Sequence, residues 1–207
     1  MHINWLGQTC VKLQTKNLKD EDVVILIDAY RPSVGDFPRS FTPQIALYSQ
    51  GEDDAATLSQ DPFILQTLGE VELKDTMIYS LPGPDETIVF KILSEGLTIV
   101  HLGRTNHKLN TETIAKLGNP DILFVPVGGE KNGTLEAEDA AATVTALEPR
   151  IVIPMAYQCD TDPKAALISE FIKNLGLKPE ATDKKFIIKK KDLPQEETRL
   201  MILEKNY

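Results

Sequence analysis

Short apolar runs punctuated by turn residues fill the first half of the chain. Between residue 2 and about residue 105, HINWL, CVKLQ, VVILIDA, QIALYS, FILQT, TMIYSL, TIVFKIL and LTIVHLG are set apart by Gly, Pro, Asn and Asp. β-Branched and aromatic residues in runs of this length predict strands, and their close succession predicts a sandwich-like sheet system.

From residue 110 the rhythm changes to alternating helix and strand. Asn110 predicts the cap of a helix through Leu117, with Gly118 as its stop. DILFVPV and RIVIPM are apolar throughout, the pattern of strands buried on both faces. Thr134 is expected to open a helix over LEAEDAAATVTALE, whose early acids suit the positive end of the helix dipole. Asp162-Pro163 predicts another helix start; Leu167, Ile168, Phe171, Ile172 and Leu175 share one face, and Gly176 ends it. KFIIKK and RLMILEK predict two closing strands. No flexible linker or low-complexity stretch divides the chain, so residues 1–207 read as one domain with sheets inside and helices outside.

Composition narrows the function. A chain of 207 residues, 42% of them hydrophobic, can bury a sizeable core. No apolar run approaches the roughly 18 residues of a membrane span, and MHINWLGQTC lacks a signal-peptide pattern, so a cytoplasmic protein without a membrane partner is expected. A formal net charge of -9 argues against a nucleic-acid partner. Lys184, Lys185, Lys189, Lys190 and Lys191 surround Phe186-Ile187-Ile188 and read as the solvated end of a strand.

Cys10 and Cys159, the two cysteines, are too few for a thiolate zinc site and are expected to be reduced and partly buried. His2, His101 and His107 fall in no metal-ligand spacing and are expected in structural or surface roles. GGEKNG lacks a strand–loop–helix phosphate fingerprint and reads as a turn.

One segment raises a chemical question. IALYSQGEDDAATL, residues 45–58, runs from a strand into an acidic turn and then into small residues that favour helix. Such a turn serves equally as a cation site or as a solvated loop.

The order of several segments decides between these. INWLGQTCVKL, VILIDAYRPSVG, IALYSQGEDDA, LPGPDE, LTIVHLGRTNHKL, GNPDILFVPVGG and PRIVIPMAYQ together resemble the metallo-β-lactamase superfamily, in particular its short bacterial Zn-dependent hydrolases. The resemblance spans nearly the whole chain and implies an α+β fold, a four-layer αββα sandwich with a metal site at the edge between the central sheets. In that family the loop after the fourth strand carries His-x-His-x-Asp-His, usually after a Ser, and the ligands hold ions that activate a bridging water.

Laid onto this sequence, Ser49 fits, but the four ligand positions become Gln50, Glu52, Asp54 and Ala55. The family's His-Leu-Gly-Asp becomes His101-Leu102-Gly103-Arg104, and its Ile-Pro-Met-His-Tyr becomes Ile153-Pro154-Met155-Ala156-Tyr157. Zinc is therefore expected of the family but not of this sequence, and no cofactor is expected. The reading is a sandwich that has lost its zinc ligands and serves as a scaffold, regulator or ligand binder, with Asp28 beside the vestigial positions. Its partner is an unidentified protein or small ligand, and a homo-oligomer is open.

Two further expectations follow from the substitutions. Arg104 is expected to reach Asp54, and with it Glu52 or Asp28, putting a guanidinium where the metal charge belongs. The alternative reading is a hydrolase of an ester, lactone or phosphodiester that uses an Mg²⁺, Mn²⁺ or Ca²⁺ ion on the oxygen ligands Asp28, Gln50, Glu52 and Asp54. Trp5, Tyr30, Tyr48 and Tyr157 are aromatic candidates for a ligand pocket.

Overall fold

The computed structural model describes residues 1–38, 40–52 and 55–206. In chain order the strands begin with β1 (His2–Trp5), β2 (Val11–Lys16), β3 (Asp22–Ile27), β4 (Ser40–Phe41), β5 (Ile45–Leu47), β6 (Thr57–Leu58), β7 (Phe63–Leu65) and β8 (Gly69–Leu73). Next come β9 (Thr76–Pro82), β10 (Ile88–Ser94), β11 (Leu97–His101), α1 (Thr111–Leu117), β12 (Ile122–Pro126), α2 (Ala137–Leu147) and β13 (Ile151–Met155). The chain closes with α3 (Ile168–Leu175), β14 (Pro179–Thr182), β15 (Phe186–Ile187) and β16 (Arg199–Leu203).

Two large sheets result, ordered β15-β1-β2-β3-β5-β7 and β14-β16-β13-β12-β11-β10-β9-β8. Strand β2 shows why they pack face to face: Val11, Leu13 and Thr15 are buried, while Lys12 and Gln14 on the other face are half-exposed. Ile3, Ile25, Ile45, Ile99, Phe124 and Ile153 meet between the sheets in the main core. Full burial of a side chain such as Phe124 stabilises by roughly 2–3 kcal/mol.

The central strands β12 and β13 are buried at every position and pair in parallel. Their outer face carries a second core, in which Val125 and Val152 pack with Leu117 of α1, Val144 of α2 and Phe171 of α3. The ends of α1 follow the expected chemistry: the Asn110 side chain accepts a hydrogen bond from Thr113 N at 2.8 Å, and Gly118 closes the helix at φ 64°.

Over the first sheet, the outer layer is built differently. Leu26, Ala46, Tyr48 and Ala56 form a third core, covered by Tyr30, Phe37, Phe41 and Leu58 from loops and from the small β4–β6 pair. The helix expected after the acidic turn is replaced here: Ala55 bridges to Tyr30, and Thr57–Leu58 pairs with Ser40–Phe41. Pairing with β4 and with Tyr30 gives these residues backbone hydrogen bonds that outweigh the helical preference of small residues.

The two later helices start downstream of their expected caps. Helix α2 begins at Ala137 behind Glu136, because the Thr134 hydroxyl turns back to Gly129 O. Helix α3 begins at Ile168, because Asp162 is taken up by a bridge to Cys159 and a bond from Asn132. The Lys run is not wholly solvated either, since Lys190 reaches Asp121 at 2.7 Å. Among the described residues no helix is long and apolar enough to cross a membrane.

Candidate functional site

Parallel pairing places several loops at one end of the sandwich. Strands β3 and β5 are parallel in one sheet, and β11, β12 and β13 are parallel in the other. Their C-terminal ends deliver Asp28, Ser49, Arg104 and Ala156 toward one end, and the β1–β2 turn adds Gln8 and Thr9. Loops at such strand ends are where sheet proteins hold ligands.

The hub is Ser49, which is buried. Asp28 accepts from Ser49 N at 2.7 Å and from Ser49 Oγ at 2.9 Å. Ser49 Oγ in turn accepts from Arg104 N at 3.2 Å. The serine proton is thereby committed to Asp28, which leaves the hydroxyl a bridge between the two loops and not a poised nucleophile. Gly103 lies at φ 59°, and a Cβ there would collide with Ser49. The family-like Gly is thus required both by backbone angle and by space.

His101 is fully buried and holds this turn from behind. Its Nδ1 accepts from Gly103 N at 3.1 Å, and its Nε2 faces Thr9 O at 2.9 Å. This pairing calls for a proton on Nε2, and burial pulls the pKa down against the opposing pull of Asp28 and Thr9, so the ring is neutral. Cys10, also buried, has its thiol pushed up by burial and by Asp28, which makes it an inert core residue.

Non-glycine residues in left-handed conformation surround the site: Gln8 at φ 45°, Asp28 at φ 50° and Ala156 at φ 61°. The Gln8 carbonyl accepts from Ala156 N at 2.8 Å and from Trp5 Nε1 at 2.8 Å, which ties the two strained residues together.

A cavity of about 250 Å³ opens among these loops, lined by Gln8, Asp28, Tyr48, Ser49, Gln50 and Arg104 among others. The Arg104 side chain is half-buried; its Nη1 lies 3.4 Å from Gln8 Oε1 and its Nη2 3.4 Å from Asn132 O. The expected Arg104 pairing with Asp28 or Glu52 does not form: Asp28 is engaged by Ser49, and Glu52 stands exposed on the loop. Asp54, the other expected partner, lies outside the described residues.

The aromatic candidates divide. Tyr48 and Tyr30 line the cavity. Trp5 and Tyr157 stack on one another in the core at 4.4 Å between ring centroids, and the Tyr157 hydroxyl donates to Leu203 O at 2.8 Å, so neither faces the site. The Tyr48 hydroxyl is buried and has no hydrogen-bond partner among the described residues. Burial and the nearby Glu52 push its pKa up to about 12, so it stays protonated at neutral pH.

Of the other expected positions, Gln50 is exposed at the rim, Ala55 is half-buried in its bridge to Tyr30, and Ala156 is buried. Among the described residues no three of His, Cys, Asp and Glu gather as metal ligands. The one described carboxylate at the cavity, Asp28, does not fit a zinc pair by itself. Gln8 and Asn132 were not legible as site residues; the one local signal was the glycine-marked turns that hold them.

The family model for a β-lactamase superfamily domain matches residues 2–156. The chain belongs to the metallo-β-lactamase superfamily. A structure described as a Zn-dependent hydrolase of this superfamily, from Thermotoga maritima, superposes with a TM-score of 0.80 at 21% identity, covering 99% of this chain and 100% of the other. A metallo hydrolase of Ignicoccus hospitalis gives 0.61 at 19% identity, covering 84% of this chain and 90% of the other. In sequence, a metal-dependent hydrolase of Pyrococcus furiosus is 26% identical over 187 residues, 83% of this chain and 82% of the relative. One from Lysinibacillus sphaericus is 43% identical over 63 residues, 30% of this chain and 27% of the relative. This superfamily member thus shares its sandwich with proteins named as metal-dependent hydrolases.

Proposed function

We propose that this metallo-β-lactamase-fold protein has lost its zinc ligands and acts by binding, as a ligand-responsive regulator or scaffold, without the metal–hydroxide chemistry after which its relatives are named. The observation that carries the reading is Arg104. Its guanidinium sits at the cavity, on the turn where the superfamily pattern has a metal-bridging aspartate, and a permanent cation there opposes a divalent ion. Gln50, Ala55 and Ala156 at the imidazole positions support the same reading, since amide and methyl groups do not replace histidine for zinc.

Metal content of protein purified without chelator, measured beside a lactonase and phosphodiesterase screen, tests the proposal. The expected result is far less than one ion per chain and no turnover. A stoichiometric ion with activity that chelation abolishes would overturn it. The names of the relatives, together with the oxygen donors Asp28, Gln50 and Glu52, favour a second reading, an Mg²⁺-, Mn²⁺- or Ca²⁺-dependent hydrolase. Titration of the same protein with Mn²⁺ and Mg²⁺ separates the two.

A further inference from the structure

Four features of the cavity point to a ligand of definite charge. First, among the described residues no carboxylate lies within ion-pair distance of the Arg104 guanidinium, whose two side-chain hydrogen bonds are both long at 3.4 Å. A guanidinium has five donors in a planar fork that matches an oxyanion, so most of its capacity is unused. Second, Tyr48 lines the same cavity, and its buried hydroxyl has no partner among the described residues, which costs about 1–3 kcal/mol unless something fills its hydrogen bond. Third, Asp28 contributes a carboxylate whose oxygens each take one bond from Ser49, leaving acceptor sites open. Fourth, a space of about 250 Å³ holds an anionic group with a few further heavy atoms.

We propose that this cavity binds a small oxyanion, a carboxylate or a phosphate, through the Arg104 fork, with a neighbouring hydroxyl or ammonium on the ligand donating to Asp28. The inference rests on the reading that no metal pair occupies this centre, and it names the ligand class for that site. Tyr48 and the Gln8 and Gln50 amides then complete the shell. The acid and the base at the two sides of the cavity favour a ligand that carries both an anionic and a donor group.

The test uses the full chain after chelation, with residual metal measured on the same sample. Calorimetry and thermal shift are run with acetate, glycolate and inorganic phosphate at constant ionic strength, with chloride as control. Saturable binding is expected, glycolate tighter than acetate, and weakened about tenfold or more in Arg104→Gln, as loss of a charged bidentate contact implies. Arg104→Lys keeps the charge but loses the fork and should recover only part of the affinity. Circular dichroism confirms that both variants are folded. Preference for phosphate over glycolate would assign the anion as a phosphate, and the reverse as a carboxylate.

No saturable binding of any probe, or binding unchanged in Arg104→Gln, overturns the inference. Glycolate no tighter than acetate overturns the donor contact to Asp28. A stoichiometric metal that survives chelation, by contrast, overturns the metal-free reading and leaves the Arg104 result to be judged by its own variants.

Discussion

The two ends of the sandwich treat charge in opposite ways. At the end where β11 and β12 begin, acids are matched: the buried Asp121 takes Lys190 at 2.7 Å, Arg150 at 3.7 Å and the Thr98 amide at 2.8 Å. Glu95, in the β10–β11 turn, binds the Met1 ammonium at 2.6 Å, the Thr15 hydroxyl and the Lys16 amide. At the other end Asp28 takes its bonds from a neutral serine, while Arg104 faces the cavity with no described acid in ion-pair reach. Charges matched within the fold stabilise it; charges held apart in strained loops are what remains when a site is kept for a ligand.

The largest expected effect comes from closing the strained end sterically. Gly103→Ala combines an unfavourable left-handed φ with a collision against Ser49, and should cost about 2–4 kcal/mol in urea unfolding. A loss below about 1 kcal/mol would show that the Ser49–Arg104 turn relaxes freely. At the matched end, Asp121→Asn keeps the side chain's size but removes the charge that Lys190 and Arg150 face. Because Lys190 is largely exposed, solvent screens much of the pairing, and a loss of about 1–2 kcal/mol is expected.

The two ends also differ in how much of each was legible from residues alone. The wholly apolar β12 and β13 and the Asn110–Gly118 helix announce themselves, because burial on both faces and capping are local facts. Strand β8, with Glu70 and Glu72 exposed, escaped because an edge strand needs apolar residues on one face at most. At the cavity, the type of Arg104 was readable but its surroundings were not. They depend on Gln8 and Asn132, 96 and 28 residues away in sequence, which only the completed sandwich brings near.

Glu95 supplies a pH test of the matched end. Burial alone would raise its pKa, but hydrogen bonds from Met1, Thr15 and Lys16 outweigh this and hold it below the ordinary value of 4.5. A depressed folded-state pKa contributes stability that is present above the unfolded value and lost as pH falls through the folded one. Urea midpoints should therefore decline as pH falls from about 5 toward 3, and Glu95→Gln should flatten part of that slope. Partial exposure keeps the contribution below about 1 kcal/mol. A variant with an unchanged slope would show that Glu95 is no better matched than a surface acid.

The smallest effect carries the opposite sign and sharpens the contrast most. Tyr48→Phe removes a buried hydroxyl that no described group satisfies, so the unligated protein should be unchanged or gain up to about 1 kcal/mol. The same change at Tyr157, whose hydroxyl donates to Leu203 O, should cost about 1 kcal/mol, because it removes a hydrogen bond made inside the fold. Two Tyr→Phe changes that differ in sign within one sandwich would separate a hydroxyl that serves the fold from one the fold has left open. A destabilisation by Tyr48→Phe equal to that at Tyr157 would place Tyr48 among the structural residues and remove it from the ligand shell.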